Sequence, residues 1–174
     1  MDDLLAQPTR RQIFDAVSTH PGASAREVQR LAGLGWGETA YHLEQLTSAG
    51  LLRRERGARR DYYFPATMTW EDRRLFQALR SPAQRTLLLL LSGAPGLSLS
   101  ELKERSGFSL STTSFHVRQL IDRAVVEQFR DGNLRRYRAV RPMRIAELVR
   151  GYRGSFEDRL VDRFVETWSG LFGG

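Results

Sequence analysis

Residues 111–120, with the sequence STTSFHVRQL, decide the fold because a related stretch, GETAYHLEQL, occupies residues 37–46. His116 and His42 are 74 positions apart, and this offset also aligns residues far outside the two stretches. Between residues 8–56 and 82–130, 13 of the 49 aligned positions are identical. The chain therefore contains two copies of one module.

The first copy predicts three helices followed by a hairpin. Residues 8–19 form the first helix, and Ser24 with Glu27 gives a capping box that opens the second. Residues 37–49 form the third helix, and LLRRER (51–56) and RRDYYF (59–64) form a hairpin with aromatic strand residues around a Gly57-Ala58 turn.

The second copy repeats this order. Residues 82–92 and 111–123 are its first and third helices, and Ser98 with Glu101 repeats the capping box. Asp131-Gly132 is predicted as the two-residue turn of the second hairpin.

This order of elements is that of a winged helix-turn-helix. The predicted fold class is mainly α with small β-wings (α+β), in two tandem winged helix-turn-helix modules plus C-terminal helices. A connector helix that begins with a Thr69–Asp72 cap is expected to fix the two modules relative to each other. The predicted domains are a first module (1–65), the helical connector (66–81), a second module (82–141) and the C-terminal helices (142–174).

The last predicted helix, residues 156–169, follows a Ser155–Asp158 cap and is apolar over about half its circumference. One interpretation is a homodimer through residues 155–172, and the other is a broad face buried within its own chain.

Composition excludes several classes of protein. The chain has no cysteine, so disulfides and cysteine-bearing zinc sites are excluded. No apolar run reaches membrane-spanning length, and the N-terminus lacks signal-peptide features, so a cytoplasmic, nucleoid-associated protein without membrane contact is expected. We find no phosphate loop, nucleophile–base pair or metal-ligand set, which predicts no enzyme, no cofactor and no metal. His42 and His116 are expected on the helix flank, in packing or phosphate-bonding roles.

Two basic runs follow the third helices at the same distance. Residues 53–60 hold five Arg against one Glu, and residues 130–144 hold six Arg against one Asp. A single run often marks a solvated edge, but two at equivalent positions favour contacts with phosphates or a narrow minor groove.

Helical periodicity on residues 111–123 puts Thr113, Val117, Leu120, Ile121 and Ala124 on the buried face. The opposite face is polar with an exposed aromatic, Phe115 or Tyr41, as suits a surface that contacts bases and phosphates. Tyr62 and Tyr137 are predicted as equivalent wing residues. The candidate DNA-contact residues are Trp36, Glu38, Tyr41, Gln45, Arg54, Arg56, Arg59, Arg60, Ser111, Thr112, Phe115, Arg118, Gln119, Arg130, Arg135 and Arg136.

The two copies differ in charge on this face. Glu44 stands where the second copy has Arg118, and Glu38 where it has Thr112. Carboxylates near phosphates usually weaken binding, so the second module is predicted to dominate DNA affinity.

Residues 75–140 resemble the ArsR-type winged-helix regulators. The matching residues of the second copy are Ala78-Leu79, Pro82, Arg85, Glu101-Leu102, Ser111, Ser114, His116-Val117, Leu120, Arg130, Gly132 and Tyr137. The first copy matches at Pro8, Arg10, Thr39, His42-Leu43, Leu46, Gly50-Leu51, Gly57 and Tyr62, without the first serine of the pattern. The whole chain is similar to the tandem winged-helix regulators of archaea.

The resemblance implies transcriptional regulation by binding double-stranded DNA. The chain departs from the metal sensors of that family, because it has no cysteine and three scattered histidines. Two alternatives remain: a tandem winged-helix scaffold that binds protein, as in condensin-associated and membrane-sorting subunits, and an architectural nucleoid protein that binds DNA without sequence preference.

Overall fold

The computed structural model describes residues 4–57, 59–156 and 159–172, without the side chains of residues 159–160 and 169–172. The chain divides into two compact units, Met1–Arg73 and Arg74–Gly174, called here module 1 and module 2. Each contains three helices followed by a two-stranded antiparallel hairpin. The predicted fold class is confirmed.

Module 1 begins with a 3₁₀ turn (Leu4–Ala6) and continues with α1 (Pro8–Thr19), α2 (Ala25–Ala32), α3 (Trp36–Ser48) and a wing made of β1 (Leu52–Arg56) and β2 (Asp61–Pro65). Helix α4 (Trp70–Leu79) contains the boundary between the units. Module 2 continues with α5 (Pro82–Gly93), α6 (Leu99–Ser106), α7 (Leu110–Asp122), β3 (Val126–Asp131), β4 (Leu134–Ala139), α8 (Pro142–Gly151), a 3₁₀ turn (Arg153–Ser155) and α9 (Arg159–Phe172).

The offset of 74 holds at both ends of each repeated helix, so α1, α2 and α3 correspond to α5, α6 and α7. Helices α3 and α7 each begin and end one residue before the predicted bounds. Both predicted capping boxes are confirmed: the Ser24 N–H donates to Glu27 Oε2 at 2.9 Å, and the Ser98 N–H to Glu101 Oε2 at 2.8 Å. Each box satisfies backbone donors that the first turn of a helix leaves open.

Each wing is joined at its base to the loop between the first two helices of its module. The Tyr63 N–H donates to the Ala23 carbonyl at 3.0 Å, and the Tyr137 N–H donates to the Leu97 carbonyl at 2.9 Å. Both tyrosine side chains are buried. These bridges add a short third segment to each hairpin and fix the wing to the helices.

The predicted equivalence of Tyr62 and Tyr137 is wrong by one residue. Tyr63 is the counterpart of Tyr137, because both form the same backbone bridge and both face the core. Tyr62 points to the opposite side of β2, since neighbouring strand residues alternate between faces.

The turn of the second wing also lies one residue from its predicted place. Asp131 pairs with Leu134 at the end of the ladder, so the two turn residues are Gly132 and Asn133. Gly132 has φ 60°, which favours glycine at the first turn position. Asp131 stays in the strand, where its carboxylate accepts a 2.9 Å hydrogen bond from Arg136.

Module 2 packs its C-terminal helices on α5: α8 contacts α5, and α9 contacts both. Phe76 is fully buried, with ring centroids 4.8 Å from Tyr152 and 5.8 Å from Phe156. The apolar face predicted for α4 is confirmed at Leu75, Phe76 and Leu79, but Trp70 is 56% exposed. The role predicted for α4 in fixing the modules stays a prediction.

The last helix begins later than predicted, at Arg159 rather than residue 156. Phe156 is buried but precedes the helix. Asp158, the residue predicted to complete the cap, lies outside the described residues, as do the side chains of Leu160, Leu171 and Phe172. In the described part of the chain, no helix is both long and apolar enough to cross a lipid bilayer.

Ala124 adopts a left-handed backbone conformation, with φ 52°, directly after α7 and its C-cap residue. It was predicted on the buried face but is exposed. Its counterpart Gly50 has φ 72°, and this region costs a residue with a Cβ about 1–2 kcal/mol.

Replacing this residue by glycine (Ala124→Gly) is therefore expected to raise the free energy of unfolding by about 0.5–1 kcal/mol. The substitution relieves backbone strain in the folded state, and the greater conformational entropy of glycine in the unfolded chain offsets part of that gain. Urea denaturation measures the change. The reciprocal Gly50→Ala should destabilise the protein by a similar amount, and a lower urea midpoint for Ala124→Gly would contradict the explanation.

Candidate nucleic-acid interface

The third helix of each module is held against the first two and against the wing, which leaves one face uncovered. On α7, Thr113, Val117 and Leu120 are buried as predicted. Ile121 is half-buried, because it lies at the edge of the covered face.

The uncovered face of each third helix carries an aromatic side chain. Phe115 and its counterpart Tyr41 are both 57% exposed, which confirms their predicted exposure, while their contact with DNA stays a prediction. On α7, Ser111 and Arg118 are exposed beside Phe115. Trp36, at the start of α3, is 44% exposed, and the Arg26 guanidinium lies 4.0 Å from the centroid of its ring.

Gln119 does not lie on the exposed face where periodicity put it. It is half-buried, and its Oε1 accepts a 2.7 Å hydrogen bond from Gln84 on α5. His116 Nδ1 lies 3.3 Å from the same oxygen. The counterpart Gln45 is also half-buried, so both glutamines lie at the edge of the helix face that packs against the rest of the module.

Thr112 is likewise half-buried and is engaged at the start of α7. Ser109 caps this helix: its Oγ accepts from the Thr112 N–H at 3.1 Å, and the two hydroxyl oxygens are 2.8 Å apart. Glu38, the counterpart of Thr112 in module 1, is exposed.

His42 was expected on the helix flank but is 4% exposed. Its Nε2 lies 3.4 Å from the Gln7 amide nitrogen, and its buried Nδ1 has no hydrogen-bond partner in the described part of the chain. Burial lowers the pKa of His42, and the positive charge of Arg10 lowers it further, while Glu38 opposes them. His42 is therefore a packing residue of module 1 that favours its neutral form.

Protonation of His42 should destabilise the folded protein. Because the pKa of the folded state lies below 6.5, the unfolded chain binds the proton more readily, and the unfolding free energy falls as the pH drops through 6.5. Urea titrations from about pH 8 to about pH 5 measure this slope. We expect His42→Gln to flatten it. An unchanged slope in the His42→Gln variant would contradict the assignment.

Several wing arginines are already engaged within their own modules. Arg136 donates to the Gly96 carbonyl at 2.7 Å and forms ion pairs with Asp131 and Glu101, at 2.9 Å and 3.4 Å. It braces the base of wing 2, and its predicted contact with DNA stays a prediction. Arg138, the other arginine on this side of β4, pairs with Glu127.

The two arginines of the second wing that remain uncommitted, among the residues described, lie on the side of the wing that faces α7. Arg130 and Arg135 are directly opposite each other in the β3–β4 ladder, and both are exposed. Neither has a hydrogen-bond or ion-pair partner among the residues described. Two like charges directly opposite each other destabilise a hairpin, and an anion bound to both would offset their repulsion.

We call the exposed side of a third helix, together with the side of the wing that faces this helix, the helix–wing face. In module 2 it contains Thr112, Phe115, Arg118, Asp122, Gln128, Arg130 and Arg135, with three arginines against one carboxylate.

In module 1 the same positions hold Glu38, Tyr41, Glu44, Ser48, Arg54, Arg56 and Asp61, with two arginines against three carboxylates. Arg54 is shared between Glu44 at 3.4 Å and Asp61 at 3.8 Å. Asp61 is also the ladder partner of Arg56, where module 2 has its arginine pair. On the helix–wing face of module 1, the carboxylates therefore offset the positive charge of both arginines.

The tip of wing 1 adds two cations that wing 2 lacks. Arg59 and Arg60 are exposed there, and the Arg60 guanidinium lies 5.7 Å from the centroid of the Tyr62 ring. A hydrogen bond with Tyr62 raises the pKa of Arg60.

Sequence reasoning missed two residues that shape these faces. Asp61 faces Arg56, and its role follows from counting the hairpin register backwards from the turn. Gln84 holds Gln119 from a different helix, and no local pattern indicates that contact. Among the described residues, no group of three or more histidines and carboxylates could hold a metal ion.

Comparison with known proteins gives the family context. Residues 7–76 match the family HTH_HVO_0163_N, described as an N-terminal HTH domain. The uncharacterized HTH-type transcriptional regulator MJ1398 of Methanocaldococcus jannaschii is 24% identical over 132 residues, which are 76% of this chain and 33% of that protein. The resemblance to winged-helix regulators is confirmed.

Two further proteins are similar to parts of this winged-helix chain. The HTH-type transcriptional regulator YgaV of Escherichia coli is 37% identical over 57 residues, which are 33% of this chain and 58% of YgaV. A solved ArsR family transcriptional regulator has 24% identity and a TM-score of 0.37, and the match covers 48% of this chain and 87% of that one. The chain thus spans a third of MJ1398 and somewhat over half of YgaV.

Proposed function

We propose that the chain is a sequence-specific, double-stranded DNA-binding transcriptional regulator. Helices α3 and α7 would enter the major groove, and the wings would contact phosphates or the minor groove. The observation that carries the proposal is the uncompensated Arg130–Arg135 pair beside the exposed Arg118. Phosphate oxygens are the anions that such a set binds in a bidentate manner, and the names of the similar regulators support the same function.

The charge difference between the modules supports a division of roles. Module 2 would supply most of the affinity. The helix–wing face of module 1 would contribute less, with phosphate contacts from Arg59 and Arg60 at the wing tip.

Selection from a random duplex pool, followed by fluorescence anisotropy over a salt series, tests the proposal. We expect an enriched site and a slope of log K against log salt of about −0.9 for each phosphate contact. The same slope without an enriched site would replace the proposal with an architectural role, because specificity and not affinity separates the two. Absence of binding at low salt would exclude both.

One observation favours a second candidate function for module 1. Its helix–wing face exposes Tyr41 between Glu38 and Glu44 in the sequence of α3, and the exposed Trp36 is the first residue of the same helix. An exposed aromatic surrounded by carboxylates suits a protein surface better than a phosphate backbone. If the selection fails, affinity capture with this module's Tyr41→Ala variant as the control tests the scaffold function.

We further propose a homodimer through residues 155–172. Val161 is buried on α9, whereas Phe164, Val165 and Trp168 remain half-exposed on the same helix. A second copy that covers them would remove apolar surface from water. Sedimentation velocity is expected to give a dimer that Phe164→Arg converts to a monomer, and a monomeric wild-type protein at micromolar concentration would contradict this.

A further inference from the structure

Module 1 has a cavity of about 370 Å³ between the C-terminal end of α3, the first wing strand and the start of α4. This volume lies within the range of small-molecule sites, about 300–1,000 Å³. Its lining residues are Thr47, Gly50, Leu52, Arg53, Arg54, Glu55, Ala66 and Arg73.

The lining is strongly cationic. It contains three arginines against one carboxylate, Glu55. Arg73 is fixed by an ion pair with Glu55 and by a 2.7 Å hydrogen bond to the Met68 carbonyl. Arg53 is exposed and has no hydrogen-bond or ion-pair partner within the described residues.

The third guanidinium contacts its two carboxylates only loosely. Arg54 divides its contacts between Glu44 at 3.4 Å and Asp61 at 3.8 Å, both longer than a strong charged hydrogen bond. Its side chain is 39% exposed, so water weakens both contacts. Arg54 also hydrogen-bonds the side chain of the buried Tyr63, so a ligand would replace only its contacts with the two carboxylates.

This cluster is specific to module 1. In the second wing, Glu127, Gln128 and Phe129 replace Arg53, Arg54 and Glu55. The equivalent positions of module 2 therefore lack both wing arginines and still hold one carboxylate, Glu127. A structural need shared by all such wings does not explain the arginines of module 1, because module 2 forms the same hairpin without them.

We propose that this cavity is a binding site for a small phosphorylated ligand. Guanidinium groups match phosphate oxygens with paired N–H donors and stay charged at any physiological pH. The Gly50 N–H in the wall is not available as a donor, because it already donates to the Thr47 carbonyl at 3.0 Å. The fixed Arg73 and the uncommitted Arg53 would hold the phosphate, and the rest of the cavity would hold the remainder of the molecule.

The proposal goes beyond DNA binding and is independent of it. Since Arg54 also contacts Glu44 on α3, a ligand that attracts Arg54 would alter the helix–wing face of module 1. That regulatory consequence rests on the proposed function, whereas the site itself does not.

Isothermal titration calorimetry of the full chain, without DNA, tests the site. Ribose 5-phosphate and inorganic phosphate are the probes, and ribose at matched ionic strength is the uncharged control. We expect heat from the two phosphorylated probes only, and a Kd for ribose 5-phosphate that Arg53→Gln weakens roughly tenfold, as expected for one charged hydrogen-bonding group.

The matched control is Arg30→Gln, which removes the same charge from an exposed arginine of module 1 that does not line the cavity. Equal weakening by both variants would mean general charge attraction and would overturn the proposal, as would no heat at millimolar ribose 5-phosphate. Arg73→Gln, checked for folding by circular dichroism, should also weaken binding. Because no DNA is present, failure here leaves the DNA proposal untouched.

Discussion

Replacing Arg130 and Arg135 together with alanine is expected to weaken DNA binding roughly 50-fold at about 0.1 M salt. Each lost phosphate contact removes about 0.9 from the slope of log K against log salt, so the slope should fall by about 1.8. The two guanidinium groups lie side by side on the exposed helix–wing face of module 2. The same substitutions should stabilise the free protein slightly, because they remove a like-charge pair.

Module 1 supplies the matched control for this prediction. Arg56→Ala at the position equivalent to Arg130 should cost less than about threefold in affinity, because Asp61 already offsets that charge. Conversely, Asp61→Arg would create in module 1 the pair that module 2 already has, and we expect tighter binding with a steeper salt slope. Equal losses from the two modules would contradict the proposed division of roles.

Removing the side chain of Phe76 (Phe76→Ala) is expected to lower the free energy of unfolding by about 3–5 kcal/mol, the range for large aromatic residues in a core. Phe76 is fully buried, and its ring contacts those of Tyr152 and Phe156. The substitution therefore leaves a cavity where α4 meets the C-terminal segment of module 2. Urea denaturation followed by circular dichroism measures the loss.

The same substitution on the surface provides the control. Phe115 is 57% exposed, so Phe115→Ala should change the unfolding free energy by less than about 1 kcal/mol. It should instead lower DNA affinity, since Phe115 lies on the helix–wing face. A loss of stability at Phe115 as large as at Phe76 would show that the exposed aromatic has a structural role.

The helices of both modules could be predicted from sequence because their signals are local. A repeat offset, two capping boxes and the glycines that end helices depend on residues only a few positions apart. Thr113, Val117 and Leu120 were correctly assigned to the core, since helical periodicity gives the face that points inward.

Helical periodicity did not predict the burial of residues at the borders of the buried helix face. His42 is buried and Gln119 is half-buried because neighbouring helices cover the flank, and the angle around a helix axis does not indicate how far a neighbour reaches. Arg136 was assigned to DNA because it belongs to a basic run. Its partners Glu101 and Asp131 come together only in the folded module.

Errors in the hairpins had a different origin. A shift of one residue reverses every side chain along a strand, and this accounts for the choice of Tyr62 over Tyr63. Asp131-Gly132 is a strong turn sequence, yet Gly132-Asn133 forms the turn because Asp131 remains paired with Leu134.

The backbone bridges at Tyr63 and Tyr137 divide each wing into a base that is hydrogen-bonded to the helices and a tip that is not. Near the bridge, the strands share hydrogen bonds with the loop before the second helix, whereas the residues beside the turn are held by one ladder alone. Amide hydrogens at the tip should therefore exchange with solvent faster than the Tyr63 and Tyr137 amides, which open only with the whole module. A duplex that pulls on a wing tip would bend the hairpin about this fixed base, and the helices beneath it would keep their positions.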